Sequence, residues 1–431
     1  MSTAAEPAGR VRVLFADQLN LARGKYLPES EARKGHTRLC VGTFAVTYSR
    51  QLVPAPGGHL LDGLPDMEAV FDPGNLRRGW DERSRIALAD LRFRGEPFAL
   101  CGRGALRRAV QAWRSLGYEP MVGLELEAYV FARGPDGNWV PYDTPGACVY
   151  GTGPFSDPAH LIDLIWDTAE RCGLPIESLN AEFDAPQFEL TLQFRDALTA
   201  ADDIFLFRQM AREVLYRKGY LLSFLPRPLA GKSGSGMHVN LSLRDREGNN
   251  VFAPRPQGQL PPLMQRCIAG LLHHHESMAG LLAPIVNSYQ RLRPASLSGY
   301  WANWGFDHRC VTVRVSAEQG AGARIEHRMG DCAASPYVAI ATVLQAALLG
   351  ETRGYDLPPP EERDALENVS TERHTPHSLA QALDALEHDP LLTQAVGQAL
   401  VDNFIAIKRA EIAELADKDE QAVFDYYAHY I

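Results

Sequence analysis

The chain has 431 residues, of which 45% are hydrophobic and 22% are charged, and its formal net charge is -10. This acidic balance argues against a nucleic-acid-binding protein, and the chain has no apolar run long enough to span a membrane. Its seven cysteines are scattered without a Cys-x-x-Cys pair, which argues against a disulfide or zinc framework. Residues 1–9 lack the charged and apolar regions of a secretory signal, so we expect a cytoplasmic protein.

The first part of the sequence predicts a small β-rich domain. Residues 10–15 have strand character, residues 20–28 predict a turn, and residues 53–73 predict a loop rich in proline and glycine. Further glycines and a proline at residues 95–104 precede a segment with helical periodicity. We therefore place a domain boundary at residue 104.

The remainder, residues 105–431, predicts a larger domain that contains both helices and strands. Apolar residues recur at helical spacing in several of its segments. Helices are predicted at residues 158–173, 196–218, 261–283, 336–350 and 378–413.

Closely spaced carboxylates mark two strand-like segments of this domain. Glu125 and Glu127 lie two residues apart in an apolar run, so both side chains leave the same face of a strand. Glu182 and Glu189 flank a turn at residues 184–186, so a bent hairpin brings them toward one side.

A third segment and a glycine loop add further polar candidates. Glu326 alternates with Arg324 and Arg328 along one face of a strand-like segment. His238 follows the loop that begins at Gly234. An isolated Glu-x-Glu pair is more often a solvated strand edge, since charged residues are mostly exposed. Only the combination of these segments points to a site.

Convergence of five carboxylates and one histidine would form a cation-binding cage. Like charges a few ångströms apart cost about 4 kcal/mol per pair at an effective dielectric constant near 20. Oxygen ligands with a single imidazole suit Mg²⁺ or Mn²⁺ and are poor for a metal that prefers thiolates. We therefore predict two divalent cations.

Five arginines lie in the same third of the chain as His238 and Glu326. Guanidinium groups suit bidentate binding of carboxylates and phosphates, although pairing with nearby acidic residues is an equally good interpretation of any single arginine. Arg309 and Arg314 are an odd number of residues apart, so a bulge or a twist is needed if both reach one ligand from a strand. Metals together with arginines indicate a polyphosphate substrate. The arginines are Arg291, Arg309, Arg314, Arg324 and Arg328.

These motifs, in this order, resemble the glutamine synthetase family from end to end. The resemblance implies an α+β fold, with an N-terminal β-grasp domain at residues 1–104 and a catalytic domain at residues 105–431. That catalytic domain would be a curved antiparallel sheet with helices, forming an open funnel. It also implies a ring-shaped homo-oligomer, expected to be a dodecamer, with active sites between neighbouring subunits. The segments that carry the resemblance are 17–25, 123–127, 182–189, 233–238, 287–292, 309–314 and 324–328.

The resemblance also implies a role for each candidate residue, with ATP as co-substrate and two Mg²⁺ or Mn²⁺ ions per active site. The metal nearer the acid substrate would be bound by Glu127, Glu182 and Glu189. The metal that bridges the ATP phosphates would be bound by Glu125, His238 and Glu326. Nucleotide binding falls to Glu177, Phe194, Ser242, Arg309, Arg314 and Arg324. Substrate binding falls to Ser233, Gly234, His238, Arg291 and Arg328, and catalysis to Arg309, Glu127 and Glu182.

The sequence departs from the family where ammonium is bound. Glutamine synthetases bind and deprotonate ammonium with a flap Glu and with an Asp from the neighbouring subunit. Here Leu297 occupies the flap position, and residues 53–62 lack an Asp-Gly-Ser-Ser pattern. A desolvated cation needs a charged partner, so the loss of both acids indicates a bulkier amine. Tyr300, Trp301 and Trp304 either line an apolar entrance for that amine or are core residues.

Other departures concern the acid substrate, the nucleotide and regulation. Ser233 replaces an Asn beside the amino-acid substrate, which leaves the acid open between glutamate and a close analogue. Ala321 replaces a Lys and Asn240 a His, so fewer contacts to ATP are expected. Tyr355 lies in a loop resembling one that is adenylylated in some bacterial members.

The leading hypothesis is an ATP-dependent ligase that joins the γ-carboxylate of glutamate, or of an analogue, to an organic amine through an acyl phosphate. One alternative is a true glutamine synthetase that uses ammonia. Another is a catalytically silent scaffold, although a scaffold has no reason to tolerate five clustered carboxylates. The expected partners are the small-molecule substrates and further copies of the chain, with neither nucleic acid nor membrane.

Overall fold

A computed structural model describes residues 9–253 and 259–431. In its N-terminal part, strands form two sheets of the orders β2-β1-β6-β5 and β3-β4-β7-β8. A 3-10 helix at Val41–Phe44 follows β3. The elements of this part are β1 (Arg10–Ala16), β2 (Ala22–Pro28), α1 (Glu29–Ala32), β3 (His36–Cys40), β4 (Asp66–Val70), β5 (Arg77–Arg78), β6 (Ser84–Leu88), β7 (Asp90–Phe93) and β8 (Glu96–Pro97).

Strand β1 is buried on both faces. Val11, Val13 and Phe15 belong to a small core between the two N-terminal sheets. Leu14 and Ala16, which alternate with them, belong to the main core of the protein. Because successive side chains of a strand point to opposite faces, β1 joins the N-terminal sheets to the rest of the chain.

A nine-stranded sheet dominates the rest of the chain. Its path is β11-β12-β9-β14-β17-β16-β15, and β10 and β13 also pair with β9. The long strand β9 therefore lies in the middle, with antiparallel partners on both sides. The strands are β9 (Glu119–Arg133), β10 (Trp139–Pro141), β11 (Ile176–Ala181), β12 (Gln187–Asp196), β13 (Tyr220–Ser223), β14 (Met237–Arg244), β15 (Trp304–Phe306), β16 (Val313–Val315) and β17 (Ile325–His327).

Helices cover this sheet and complete the core. Helix α8 is buried along most of its length, and it packs against α2 and α5. A short 3-10 helix at Gly320–Gly322 precedes β17. The helices are α2 (Gly102–Ser115), α3 (Leu161–Cys172), α4 (Ala197–Arg217), α5 (Pro262–His273), α6 (His275–Leu282), α7 (Ser288–Arg291), α8 (Pro336–Arg353), α9 (Leu379–Glu387), α10 (Pro390–Val396), α11 (Gln398–Leu415) and α12 (Glu420–Ala428).

The predicted α+β class is confirmed, whereas three local predictions are wrong. The predicted turn at 20–28 is largely strand β2, and the predicted loop at 53–73 contains β4. The helix predicted at 378–413 is three helices, separated near Pro390 and Gly397. The division at residue 104, which falls in the first turn of α2, stays a prediction. Among the described residues, we find no helix with the length and apolar character needed to cross a membrane.

Candidate active site

Strand pairing around β9 assembles the predicted polar residues. Glu125 of β9 lies opposite His238 of β14, and Glu127 lies opposite Glu189 of β12. Glu326 of β17 lies opposite Asn240, two residues beyond His238 on β14. Since side chains two residues apart leave the same face of a strand, the sheet brings side chains from four strands to one surface.

Three of these residues form what we call the histidine cluster, Glu125, His238 and Glu326, whose ligand atoms lie within 4.8 Å of one another. His238 Nδ1 lies 3.2 Å from Glu125 Oε2 and 3.4 Å from Glu326 Oε1. Glu326 also accepts hydrogen bonds from Arg328 and, at 3.0 Å, from Arg314. Burial alone raises the pKa of Glu125, but His238, Asn240 and Arg328 outweigh it and lower that pKa to about 2.

The other group, which we call the three-carboxylate cluster, consists of Glu127, Glu182 and Glu189, again with ligand atoms within 4.8 Å of one another. Burial and the four neighbouring glutamates raise the pKa of Glu189 to about 8. Burial and Glu127 also raise the pKa of Glu182. Glu127 Oε2 accepts a hydrogen bond from the Gly236 amide at 2.8 Å. These carboxylates therefore repel one another, and in the described residues the groups that donate hydrogen bonds to them are amides.

Both clusters fit a hard divalent cation. Five carboxylates and one imidazole form the donor set that Mg²⁺ or Mn²⁺ prefers. The raised pKa of Glu189 marks a place where a positive charge would relieve repulsion. His238 Nε2 lies 3.9 Å from Glu127 Oε1, so the two clusters adjoin at this side chain. The six predicted ligands thus meet in two groups of three, and their role as metal ligands stays a prediction.

A cavity of about 190 Å³ adjoins the histidine cluster. Phe194 forms part of its wall with 53% of its surface exposed, which leaves its ring free to stack on a base. Glu125 also lines this cavity, so the space leads directly to the histidine cluster. Four of the six residues predicted to bind nucleotide line it together: Glu177, Phe194, Ser242 and Arg324.

The other two predicted nucleotide contacts lie outside this cavity. Arg314, in β16, binds Glu326 and Asp307. Arg309 is exposed in the turn after β15, and its charge acts on Glu182 against the larger effect of burial on the pKa of that carboxyl. The two arginines thus approach different clusters. Strand parity does not constrain this pair, because Arg309 belongs to a turn and only Arg314 to a strand.

The predicted substrate clamp surrounds the glycine loop. Arg291 is 6% exposed and donates to the backbone carbonyls of Met329, at 2.7 Å, and Arg328, at 3.1 Å. A Cβ at Gly234 would lie 2.5 Å from Arg291 Cγ, so only glycine fits there. The Ser233 hydroxyl donates to Asp184 at 2.7 Å, which holds the loop in place.

Sequence reasoning assigned no role to Gln187, although the structure places it inside the site. Gln187 is 2% exposed and donates to the carbonyl of Gly234 at 3.0 Å and to the hydroxyl of Ser235 at 3.1 Å. It therefore ties β12 to the glycine loop. Strand parity could have found it, because Gln187 and Glu189 lie two residues apart.

Asn240 has a more specific position than the sequence indicated. Its amide nitrogen donates to Glu125 Oε1 at 2.9 Å, and its oxygen accepts from Arg324 Nε at 3.0 Å. It thereby links the histidine cluster to an arginine that lines the nucleotide cavity.

Comparison with known proteins identifies the family. Residues 99–427 match the glutamine synthetase catalytic domain. The glutamine synthetase of Pyrococcus woesei is 31% identical over 413 residues, which cover 93% of this chain and 89% of that protein. The chain belongs to the glutamine synthetase family. The glutamine synthetase of Thermus thermophilus is 29% identical over 417 residues, which cover 93% of this chain and 91% of that protein.

Solved structures share the fold along the whole chain. A novel glutamine synthase homolog superposes with a TM-score of 0.86 at 23% identity and covers 100% of both chains. Apo GmaS superposes with a TM-score of 0.83 at 27% identity, covering 95% of this chain and 94% of that one. A GmaS complex with ADP gives a TM-score of 0.82 at 25% identity. The predicted family fold is confirmed.

Membership of the glutamine synthetase family confirms the interpretation of this chain as an ATP-dependent ligase. Family members use ATP and divalent metals, in agreement with the two clusters described above. In the flap loop, Leu297 is 52% exposed, and its backbone oxygen lies 3.5 Å from Arg328 Nη2. The position of the expected flap glutamate is therefore next to a predicted carboxylate-binding arginine.

Aromatic and histidine side chains near this loop belong to the core. Tyr300 and Trp304 are 3% and 4% exposed, which favours the core interpretation over an apolar entrance. His274 binds Asp389 at 2.6 Å, and His275 lies 3.1 Å from the carbonyl of Tyr300. Both histidines are buried, and their partners lie far from them in sequence. Tyr355 lies 3.3 Å from His274, and its modification stays a prediction.

Proposed function

We propose that this enzyme joins the γ-carboxyl group of glutamate, or of a close analogue, to an organic amine in an ATP-dependent reaction. The observation that carries the proposal is Leu297, an apolar side chain that is 52% exposed where ammonium-using members carry a glutamate. An apolar residue cannot balance an ammonium charge, but it can pack against the carbon skeleton of an amine. The structural likeness to GmaS, a gamma-glutamylmethylamide synthetase, supports this choice.

The reaction would proceed in two displacements. A γ-carboxylate oxygen attacks the γ-phosphorus of ATP and ADP leaves, which forms an acyl phosphate. The amine nitrogen then attacks the acyl carbon, inorganic phosphate leaves and the nitrogen loses a proton. Arg309 and Arg314 would offset the negative charge that spreads over the transferring phosphoryl group. Two Mg²⁺ or Mn²⁺ ions, held by the two clusters, would supply further charge neutralisation when bound.

Substrate orientation would fall to residues around the glycine loop. Arg291 and Arg328 offer guanidinium groups to the α-carboxylate of the acid, and Gly234 leaves room beside Arg291. Glu177, Phe194, Ser242 and Arg324 would hold the nucleotide in the cavity next to the histidine cluster. We also propose a division into domains of residues 1–104 and 105–431, and assembly into a ring-shaped homo-oligomer.

A true glutamine synthetase is the second candidate. The observation in its favour is that the curated relatives quoted above, at 29% and 31% identity, are glutamine synthetases. Both candidates use the same acid, nucleotide and metals, and differ only in the nitrogen donor.

A comparison of nitrogen donors, each assayed separately, tests the proposal. Phosphate release would be measured with glutamate, ATP and Mg²⁺, with either ammonium or a series of primary amines such as methylamine and ethylamine. We expect kcat/KM for at least one amine to exceed that for ammonium by about tenfold or more, which corresponds to about 1.4 kcal/mol. Efficient turnover with ammonium alone would contradict the proposal.

A flap variant sharpens the same test. Leu297→Glu should shift the ratio of kcat/KM values toward ammonium, because the new carboxylate can pair with that cation. Leu116→Glu is a matched control, since Leu116 is 46% exposed at the end of α2, outside the flap and the loop at residues 53–62. An unchanged ratio in Leu297→Glu would mean that this position does not select the nitrogen donor.

A further inference from the structure

A second cavity lies between the turn after β1, helix α4 and the segment that follows α12. Its volume is about 230 Å³. None of its lining residues belongs to the two clusters or to the nucleotide cavity. The polar side chains that line it are Asn20, Arg23, Arg208, Gln209, Arg212 and His429.

Arg208 is the unusual member of this set. It is 7% exposed, and its Nε atom has no hydrogen-bond partner among the described residues. Its guanidinium carbon lies 5.2 Å from the ring centroid of Phe224. Burial lowers the pKa of Arg208 in spite of nearby Asp331. A buried arginine normally pairs with a carboxylate or with several hydrogen-bond acceptors. We therefore expect an anionic group to bind Arg208.

Asp331 is the nearby carboxylate, but it forms no hydrogen bond with Arg208. Its Oδ1 atom accepts a hydrogen bond from the Ala333 amide at 2.9 Å, and its Oδ2 atom is buried without a hydrogen-bond partner within residues 9–253 and 259–431. The charge of Arg291 also acts on Asp331, more strongly than the charge of Arg208 does. Asp331 thus forms no ion pair with Arg208 among the described residues.

Arg212 adds a second positive charge one helical turn from Arg208, on the same face of α4. It donates to the carbonyl oxygens of Tyr430, at 2.8 Å, and Ala428, at 3.2 Å. These acceptors are neutral, so they orient the guanidinium group without cancelling its charge. Arg23, by contrast, is already paired with Asp17 at 2.6 Å.

One further acceptor faces the same space. Asn20 Nδ2 donates to the carbonyl of Ala334 at 2.9 Å, which fixes the orientation of the side chain. Asn20 Oδ1 is then buried without a hydrogen-bond partner in the described parts of the chain. Anionic oxygens of a ligand would pair with the arginines, and a ligand that also carries an O–H group would in addition donate to Asn20.

We propose that this cavity is a binding site for a small oxyanion, whose phosphate or carboxylate group pairs with Arg208 and Arg212. Planar guanidinium groups bind both kinds of oxyanion through charge-assisted hydrogen bonds. The site would be separate from the substrate clamp. It would accept inorganic phosphate, a phosphate monoester or a small dicarboxylate.

Thermal unfolding of the full chain at constant ionic strength tests the proposal. Inorganic phosphate and succinate would be titrated separately, with wild type compared with Arg208→Met. In wild type we expect one of the two anions to raise Tm, and in Arg208→Met we expect its apparent Kd to increase by about tenfold or more. Any shift that persists in the variant at wild-type affinity reports the candidate active site. A response to phosphate alone or to succinate alone identifies the class of ligand.

The effect of Arg208→Met on Tm without added anion distinguishes this proposal from a purely structural role, in which the variant would lower Tm. Without added anion, Arg208→Met should keep or raise Tm, because it removes a buried charge that lacks a partner. Arg266→Met is the matched control, since Arg266 pairs with Glu351 on other helices, and it should keep the anion response. Equal anion responses in wild type and Arg208→Met would overturn the proposal.

Crystals soaked in selenate provide a direct measurement that does not depend on a variant. The anomalous signal of selenium should place the anion within hydrogen-bond distance of Arg208 and Arg212. A fully occupied selenate elsewhere, with none in this cavity, would overturn the proposal even if Arg208→Met failed to fold.

Discussion

The histidine cluster and the three-carboxylate cluster differ in how their negative charge is balanced. In the histidine cluster, Glu326 accepts hydrogen bonds from Arg314 and Arg328, and Glu125 from His238 and Asn240. In the three-carboxylate cluster, the donors are neutral amides such as those of Gly236 and Phe183. Charged side chains therefore donate directly to the histidine cluster, whereas only amides donate to the three-carboxylate cluster within the described residues.

The pKa directions follow this difference. The partners of Glu125 lower its pKa to about 2, whereas burial and neighbouring carboxylates raise that of Glu189 to about 8. Both residues lie on paired strands of one sheet, so local backbone structure does not cause the difference. The interactions of Glu125 with His238, Asn240 and Arg328 cause it, because Glu189 has no such partners in the described residues. We infer that metal binding contributes more to the stability of the three-carboxylate cluster than to that of the histidine cluster.

Glu326→Gln is the strongest challenge to this comparison. It should lower the free energy of unfolding by about 3–5 kcal/mol in EDTA, because it leaves two arginine charges without their buried carboxylate. Chemical denaturation would measure the change. Glu318→Gln is the control, because Glu318 pairs with Arg324 at 3.2 Å while 56% of its side chain is exposed, and it should change stability by less than about 1 kcal/mol. Equal effects in the two variants would contradict an arginine-balanced histidine cluster.

Glu127→Gln addresses the chemistry of the three-carboxylate cluster. We expect kcat to fall by about a hundredfold or more, since one charged ligand is lost where charge develops in the transition state. Glu351→Gln, which alters a carboxylate paired with Arg266, should keep kcat. Steady-state phosphate release and size-exclusion chromatography would be measured together. Unchanged turnover in a folded Glu127→Gln protein would contradict a catalytic role for the three-carboxylate cluster.

Glu189→Gln should stabilise the protein when no metal is bound. A raised carboxyl pKa means that the folded state keeps a proton that the unfolded chain has released, so stability falls as the pH rises from about 4.5 to about 8. The amide removes this penalty, which is more than about 1 kcal/mol above pH 8 and small at pH 5.

Thermal unfolding in EDTA at both pH values would measure the effect of Glu189→Gln. The same variant should lose most of the Tm increase that Mg²⁺ gives wild type at pH 8.5. A lower Tm at pH 8.5 in EDTA than that of wild type would mean that other contacts of Glu189 outweigh the repulsion within the three-carboxylate cluster.

Several parts of this arrangement were accessible from the sequence. The spacing of Glu125 and Glu127 in an apolar run predicted one strand face, and β9 carries both residues. The resemblance to glutamine synthetase supplied the family fold. The breaks in the C-terminal helices also had local signals, since Pro390 begins α10 and Gly397 has a φ of 135°. These are local patterns, which a single sequence records.

Other parts depend on partners far apart in the chain. His274 and His275 look like solvent-exposed helix residues, yet Asp389 and the carbonyl of Tyr300 bind them. The unmatched charge of Arg208 also depends on what the fold places around it. No periodicity within α4 distinguishes Arg208 from an arginine with a carboxylate partner, because that partner would come from another element.

Substitution of Asn240 should have the smallest effect, and it should affect the histidine cluster without affecting the three-carboxylate cluster. Its side chain bridges Glu125 and Arg324, so it joins the histidine cluster to the nucleotide cavity and makes no contact with the three-carboxylate cluster. Asn240→Ala should therefore raise KM for ATP by about five- to tenfold, equivalent to about 1–1.4 kcal/mol, while KM for the acid changes little. Asn368→Ala, which removes an exposed contact to Asp364, should change neither constant. If Asn240→Ala instead raises KM for the acid, the two clusters are coupled more tightly than their charge balance indicates, and Asn240 supports both.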